Sequence, residues 1–188
     1  MKYDKSYLRN KSLIKRKKKY LFTKKFNFRL VFNLIRKYFH NKKIIIAAYY
    51  PSNYEANIVK FIEDASKKKF RIALPVIKSS NKMHFKSWVF KDPLYVNKFG
   101  ILEPKNSKKK IIPDLVMVPL VAFDSNLNRI GYGKGYYDRS LKQIRKIKKN
   151  AIFLGIAYSF QKCKRIPVNN HDFKLDYIFT EKGIINSK

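Results

Sequence analysis

Two unbroken apolar runs, Ile44–Tyr50 and Leu115–Phe123, limit what this chain can become. Both are far shorter than the roughly 20 residues that cross a bilayer, and neither alternates apolar with polar. A strand that is apolar on both faces must be covered on both, as in a parallel sheet sandwiched between helices. Pro51 closes the first run, and Pro119 lies inside the second, which leaves Leu115–Val118 as its core. Phe70–Ile77, Met83–Phe90, Ala151–Tyr158 and the short Tyr177–Thr180 read as further strands.

Between them the period changes to that of a helix. Tyr3, Tyr7, Leu8, Leu13 and Ile14 suggest one helical face. Leu21, Phe22, Phe26, Leu30, Val31, Leu34, Ile35 and Tyr38 form a second. Ser52-Asn53-Tyr54-Glu55 ahead of Ile58, Val59, Phe61, Ile62 and Ala65 carries a helix-start signature, with Glu55 as the capping acid. Tyr136–Lys149 places Leu141, Ile144 and Ile147 inward, and Lys105–Lys110 is a charged connector. Strands alternating with helices predict an α/β fold with a mostly parallel central sheet, as a single domain over 1–188. Residues 1–40 are expected to be a basic helical segment packed on it.

Charge enters here. The chain carries 44 Lys+Arg against 12 Asp+Glu, a formal +32, yet 45% of it is hydrophobic and 15% aromatic. That excludes a wholly disordered basic tail. One reading of the charge is phosphate neutralisation on RNA or DNA. The other is background composition: Lys, Asn, Ile, Phe and Tyr have AT-rich codons. Lys outnumbers Arg by 35 to 9, whereas base and phosphate readers favour the planar Arg fork. Asp4 is the only acid among the first forty residues, a composition shared with transit peptides, but no signal-peptide apolar segment follows. Cys163 is the only cysteine, so no internal disulfide is possible and a cytoplasmic home is expected. His40, His84 and His171 lack zinc-ligand spacing. Cys163 and Trp88 read as structural, and Asp114 and Asp124 as turn residues.

Three of the six glycines fall within five positions, in Arg129-Ile130-Gly131-Tyr132-Gly133-Lys134-Gly135-Tyr136-Tyr137-Asp138-Arg139. Alternating glycines let backbone N–H groups converge on one concavity that binds anions, and a helix starting near Tyr136 aims its free N–H groups at the same point. Lys134 and Arg129 add positive charge, and Asp138 is placed to hold Mg²⁺ against phosphate oxygens. The spacing fits neither the Walker A loop nor the dinucleotide fingerprint, and such a loop also reads as a plain turn. Lys5 and Arg9 lie one helical turn apart and can reach one phosphate chain, or they form a solvated face.

The segment 129–139, preceded by Val118-Pro119-Leu120-Val121-Ala122-Phe123-Asp124, closely resembles the signature of the 5-formyltetrahydrofolate cyclo-ligase (methenyltetrahydrofolate synthetase) family. Lys5-Ser6-Tyr7-Leu8-Arg9, Tyr50 with Glu55, Gly100-Ile101-Leu102-Glu103-Pro104 and Pro167–Asp172 with Asp176 resemble its other segments in order and spacing, so the likeness runs from about residue 5 to 181. Two segments depart: Leu127 stands where the family usually has glycine, and Ala56, Asn57 and Ile58 follow Glu55 where the family often has an acidic or polar residue and threonine.

The resemblance implies ATP-dependent conversion of 5-formyltetrahydrofolate to 5,10-methenyltetrahydrofolate with release of ADP and phosphate. The formyl oxygen attacks the γ-phosphate, N10 closes the ring and phosphate leaves. It implies an α/β fold, a single three-layer domain with a mostly parallel central sheet flanked by helices, and Lys134 and Arg129 as catalytic residues. The implied nucleotide contacts are Lys5, Arg9, Arg129, Gly131, Tyr132, Gly133, Lys134, Gly135, Tyr136 and Tyr137. Tyr50, Glu55 and Tyr136 are the implied folate contacts, and Asp138 and Asp172 the Mg²⁺ ligands. One of Tyr136 and Tyr137 is expected to pack inward, and Phe99 either stacks on a pterin or joins the core. The folate is free or polyglutamylated, and a monomer without specific nucleic-acid or membrane partners is expected. The rivals are a basic nucleic-acid-binding protein and a sugar-phosphate isomerase.

Overall fold

The computed structural model describes residues 4–23, 25–40, 42–78, 82–105 and 109–186. In chain order its elements are α1 (Lys5–Lys19), α2 (Arg29–Phe39), β1 (Ile45–Ala47), α3 (Val59–Lys67), β2 (Arg71–Ile77), β3 (Met83–Trp88), β4 (Leu94–Val96) and β5 (Leu102–Pro104). There follow β6 (Lys110–Ile111), β7 (Leu115–Pro119), β8 (Ala122–Phe123), β9 (Arg129–Ile130), α4 (Tyr136–Ile147), β10 (Ile152–Ile156), β11 (Tyr177–Thr180) and β12 (Gly183–Asn186).

Eight strands form one sheet in the order β12-β11-β10-β7-β1-β2-β3-β6. The central five, β11 to β2, are parallel, and antiparallel strands close both edges. The apolar runs do what their composition requires. Ile46, Leu115, Met117, Ile152, Leu154 and Ile156 point to one face, where Val31, Leu34 and Ile35 of α2 and Phe61, Ile62 and Ala65 of α3 cover them. Ala47, Val116, Val118 and Phe153 point to the other, under Leu141 and Ile144 of α4. Each such Leu, Ile or Phe contributes about 1.5–3 kcal/mol by leaving water. The architecture is the expected α/β one, with helices on both faces of a mostly parallel sheet.

Local expectations need correction in several places. On α4, Leu141 and Ile144 face inward as expected, but Ile147 is exposed at the helix end. Ser52–Glu55 is a turn, not a helix start: Asn53 and Tyr54 have φ of 47° and 62°, which a helix cannot accommodate. The helix begins at Val59, whose N–H is accepted by Asn57 Oδ1 at 2.9 Å. On α1 the inward residues are Leu8, Leu13 and the buried Arg16, packed toward the β8–β9 hairpin, whereas Tyr7 and Ile14 are exposed. Tyr3 and residues 106–108 of the connector lie outside the described residues. The second helix starts only at Arg29; Leu21 and Phe22 sit on an exposed 3-10 turn, and Phe26 and Phe28 pack on the core from irregular backbone. The hairpin of β4 and β5 was not expected. At its root Trp88 is buried and its indole N–H donates to the Asp92 carbonyl at 3.1 Å.

Leu127, the departure from the family pattern, adopts φ 65° and is fully buried. The leucine thus accepts the backbone that glycine favours and repays the strain with core contacts. Replacing Leu127 by glycine relieves about 1–2 kcal/mol of left-handed strain but forfeits roughly 2–5 kcal/mol of burial. The expected net loss is about 2 kcal/mol, a fall of roughly 4–8 °C in thermal midpoint. An unchanged or raised midpoint in a melting experiment would show that strain dominates.

Among the described residues no helix is long and apolar enough to cross a membrane.

Candidate active site

Strand order reverses direction between β1 and β7, and in such sheets the crevice beyond the carboxyl ends of the strands is the ligand position. A cleft of about 670 Å³ opens there, lined by Tyr49 and Tyr50 after β1 and by Pro119 at the end of β7. The glycine loop forms one wall, α1 and the β4–β5 hairpin two more, and Asn169, His171 and Asp172 the last.

The loop's shape depends on Gly133, which has φ 97° and carries the Arg9 guanidinium against its α-carbon; a Cβ there would lie 3.3 Å from Arg9 Cζ. Arg9 Nε also donates to the Gly131 carbonyl at 2.8 Å. Thus α1 and the loop assemble as a unit. Gly135, at φ 65°, is the N-cap of α4 and provides no side-chain cap, so the first N–H groups of α4, at the edge of the cleft, are left without a capping side chain from that residue.

Two ion pairs hold the cations in place. Arg129 Nη2 donates to Asp138 Oδ1 at 2.7 Å, with the Arg129 side chain almost fully buried. Lys5 Nζ donates to Asp172 Oδ2, which also accepts the Asn169 N–H at 2.6 Å. Burial works against ionising Asp172, but the Lys5 hydrogen bond and charge and the Asn169 N–H outweigh it and hold its pKa below the usual range. Lys134 differs: its ammonium lies 3.6 Å over the Phe99 ring rather than on a carboxylate. Phe99 therefore neither joins the core nor is free; it parks the lysine from the tip of the hairpin and packs near Tyr136, ring centroids 6.3 Å apart.

On the opposite side Glu55 is buried. Its Oε2 accepts the Ser52 N–H at 3.0 Å and its Oε1 the Tyr132 hydroxyl at 3.0 Å. Burial raises its pKa, against the Ser52 N–H, the charge of Arg16 and the Tyr132 hydroxyl, which favour the carboxylate. Tyr137 is the inward member of its pair: its hydroxyl is buried without a hydrogen-bond partner, and burial, then Glu55, raise its pKa strongly.

The structure therefore gathers Lys5, Arg9, Tyr50, Glu55, Arg129, Gly131, Tyr132, Gly133, Lys134, Gly135, Tyr136, Tyr137, Asp138 and Asp172 around one cleft. Tyr132 lies nearer Glu55 than its grouping with the nucleotide contacts implied. Sequence reasoning missed Arg16, buried behind the cleft, and Arg139, whose Nη2 donates to the Lys134 carbonyl at 2.7 Å. An arginine inside the basic run 15–19 has no pattern to mark it; Arg139, four residues past Gly135, lay in plain view.

Fold and site define an α/β protein with a cation-lined cleft at the switch point of its sheet. The profile of the 5-formyltetrahydrofolate cyclo-ligase family matches residues 1–181. The cyclo-ligase of Haemophilus influenzae is 32% identical over 136 residues, 69% of this chain and 72% of that protein. The 5,10-methenyltetrahydrofolate synthetase of Aquifex aeolicus superposes with a TM-score of 0.74 at 29% identity, covering 97% of this chain and 92% of that one. That of Mycoplasma pneumoniae gives 0.71 at 26%, covering 95% and 99%. The chain belongs to the 5-formyltetrahydrofolate cyclo-ligase family.

Proposed function

We propose that this protein is an ATP-dependent ligase that closes 5-formyltetrahydrofolate to 5,10-methenyltetrahydrofolate, releasing ADP and phosphate. The observation that carries this is the facing of two chemistries across one cleft: a cation-lined glycine loop on one side and the buried, hydrogen-bonded Glu55 on the other. An N-formyl group is an amide and a poor electrophile, and transfer of the γ-phosphoryl group to its oxygen turns that oxygen into a leaving group. N10 then attacks the formyl carbon and phosphate departs.

In this reading the protein positions and neutralises, as phosphoryl transfer requires. The N–H groups of the 131–135 loop and the start of α4 cradle phosphate oxygens. Lys5 and Arg9 grip the nucleotide from α1, and Lys134 and Arg129 stabilise the charge that builds on the γ-phosphoryl group. Tyr50 and Tyr136 border the folate, and Glu55 accepts N–H donors of the pterin. Phe99 releases Lys134 when phosphate competes for it.

The donors fit Mg²⁺: Asp138 Oδ2 and Asp172 Oδ1 accept no hydrogen bond from the described residues, and this ion commonly takes one or two carboxylates with phosphates and waters. Asp138 and Asp172 would hold the ion, which would supply neutralisation of phosphate charge. Asp172→Asn is expected to raise the Mg²⁺ concentration for half-maximal rate about tenfold; an unchanged titration removes Asp172 from the ligand set.

The test of the function is ATP hydrolysis dependent on 5-formyltetrahydrofolate, with the absorbance of the methenyl product. Tight, steeply salt-dependent RNA or DNA binding with neither activity would favour the nucleic-acid reading instead. We further propose that the 188 residues act as one monomeric unit in the cytoplasm. The solitary Cys163 supports the compartment; burial, then Asp124, pushes its thiol up to about 11, away from reactivity.

A further inference from the structure

Arg16 is a buried cation that the reaction, as outlined, leaves without a task. It is 1% exposed, on the inner face of α1. Its Nη2 donates to the Asn53 carbonyl at 2.7 Å and to the Tyr132 hydroxyl at 2.5 Å, and its Nη1 to the Leu120 carbonyl at 3.3 Å. These three acceptors belong to three separate walls: the turn that carries Glu55, the glycine loop that carries Lys134, and the chain just past the end of β7. Burying an arginine without a carboxylate contact is costly, and the acceptors could be met by water if the segments were allowed to part.

We propose that Arg16 is a positioning residue for the reaction, locking the Glu55 turn to the phosphate loop and directing the Tyr132 hydroxyl proton onto Glu55. The direction follows from hydrogen-bond rules. The Tyr132 oxygen accepts from Arg16, so its own proton is turned to Glu55 Oε1, 3.0 Å away. A guanidinium is always a donor, so the relay cannot reverse. The turn needs the lock because Asn53 and Tyr54 are both left-handed, a backbone that persists only where its surroundings hold it; the Tyr20 ring, 4.6 Å from that of Tyr54, supplies the other restraint.

The lock also sets the charge of Glu55. The groups facing this carboxyl are Arg16 from α1, Tyr132 from the loop, Tyr49 beyond β1, Tyr137 from α4 and Ser52 on its own turn; the Tyr158 hydroxyl reaches its main-chain oxygen at 3.4 Å. Arg16 is the one cation in this set. Without it burial prevails further, the proton leaves Glu55 at higher pH, and the acid limb of the rate profile moves up.

The inference rests on the reading of Glu55 as a folate contact, and the experiment separates the two. Arg16→Met, Arg16→Lys and Tyr132→Phe are compared with wild type in three measurements: affinity for 5-formyltetrahydrofolate, affinity for a non-hydrolysable ATP analogue, and kcat/KM against pH. Arg16→Met is expected to weaken folate binding roughly ten- to hundredfold, the usual worth of hydrogen bonds to a charged group, to change analogue binding less than about threefold, and to move the acid limb upward. Arg16→Lys keeps the charge but not the fork. It should leave the acid limb near wild type and still weaken folate binding. Tyr132→Phe should move the limb in the same direction as Arg16→Met, and it decides the matter if Arg16→Met does not fold. Lower thermal stability with unchanged folate affinity and an unchanged acid limb would overturn the proposal and leave Arg16 a packing residue. If wild type binds no folate, the functional reading fails. The lock is then judged by carboxyl-carbon NMR titration of Glu55, which should still titrate at higher pH in Arg16→Met; an unshifted titration overturns it.

Discussion

Replacing Lys134 by alanine is expected to lower kcat by roughly 10²- to 10³-fold, the usual loss when one preorganised donor to a developing oxyanion is removed. Stability should barely change. The Lys134 side chain is exposed and its ammonium rests on the Phe99 ring, not on a carboxylate, so its loss leaves no buried charge behind, and exposed substitutions of that kind stay within about 0.5 kcal/mol. Steady-state formation of the methenyl product and a thermal melt, run on the same preparation, make the check. A variant that melts like wild type and turns over like wild type takes Lys134 out of the mechanism. Equal losses in kcat and kcat/KM would mark an interaction made in the transition state, whereas a raised KM for ATP alone would mark ground-state binding.

Arg129→Met should behave in the opposite way, failing in stability as well as rate. The Arg129 side chain is 4% exposed and that of Asp138 23%. Asp138 Oδ1 also accepts the Phe173 N–H at 3.1 Å, tying α4 to the 169–173 segment. Removing one partner of a buried pair costs about 3–5 kcal/mol; the partial exposure of Asp138 lets water screen the orphaned charge, which reduces the expected loss to roughly 2–4 kcal/mol. In a chain of this size that is a fall of roughly 4–16 °C in midpoint. Arg129→Lys should recover only part of it, because a lysine cannot reproduce the planar fork. A melt of Arg129→Met within a degree of wild type would show that water already satisfies this pair.

The contrast between these two residues bears on what could be read from the chain. Both were singled out for the same reason, as cations beside a glycine loop, and nothing in their spacing says that one is buried and braced while the other is parked on a ring. The sheet was legible because its strands are apolar on both faces, and that pattern has few solutions. The β4–β5 hairpin was not, because three-residue strands containing Leu94, Tyr95 and Val96, half-buried or exposed, carry no periodicity to detect. The Ser52–Glu55 segment illustrates a subtler failure. Its capping-box hydrogen bond does form, Ser52 N–H to Glu55 Oε2, but around a turn rather than a helix, since Asn53 and Tyr54 twist left-handed in between. Arg16 was hidden for the reason already given by composition. With 44 basic residues, a single buried one has no statistical contrast with its neighbours.

The position of Trp88 has a practical use. It is the chain's sole tryptophan, held in the core at the end of β3 by an edge-on Phe90 and by the Asp92 carbonyl, two residues before the hairpin whose tip holds Lys134. Selective excitation therefore reports on one indole at the root of the hairpin that carries Phe99. Fluorescence recorded on nucleotide or folate addition tests, without an attached dye, whether ligand binding at the Lys134–Phe99 contact is felt at that root.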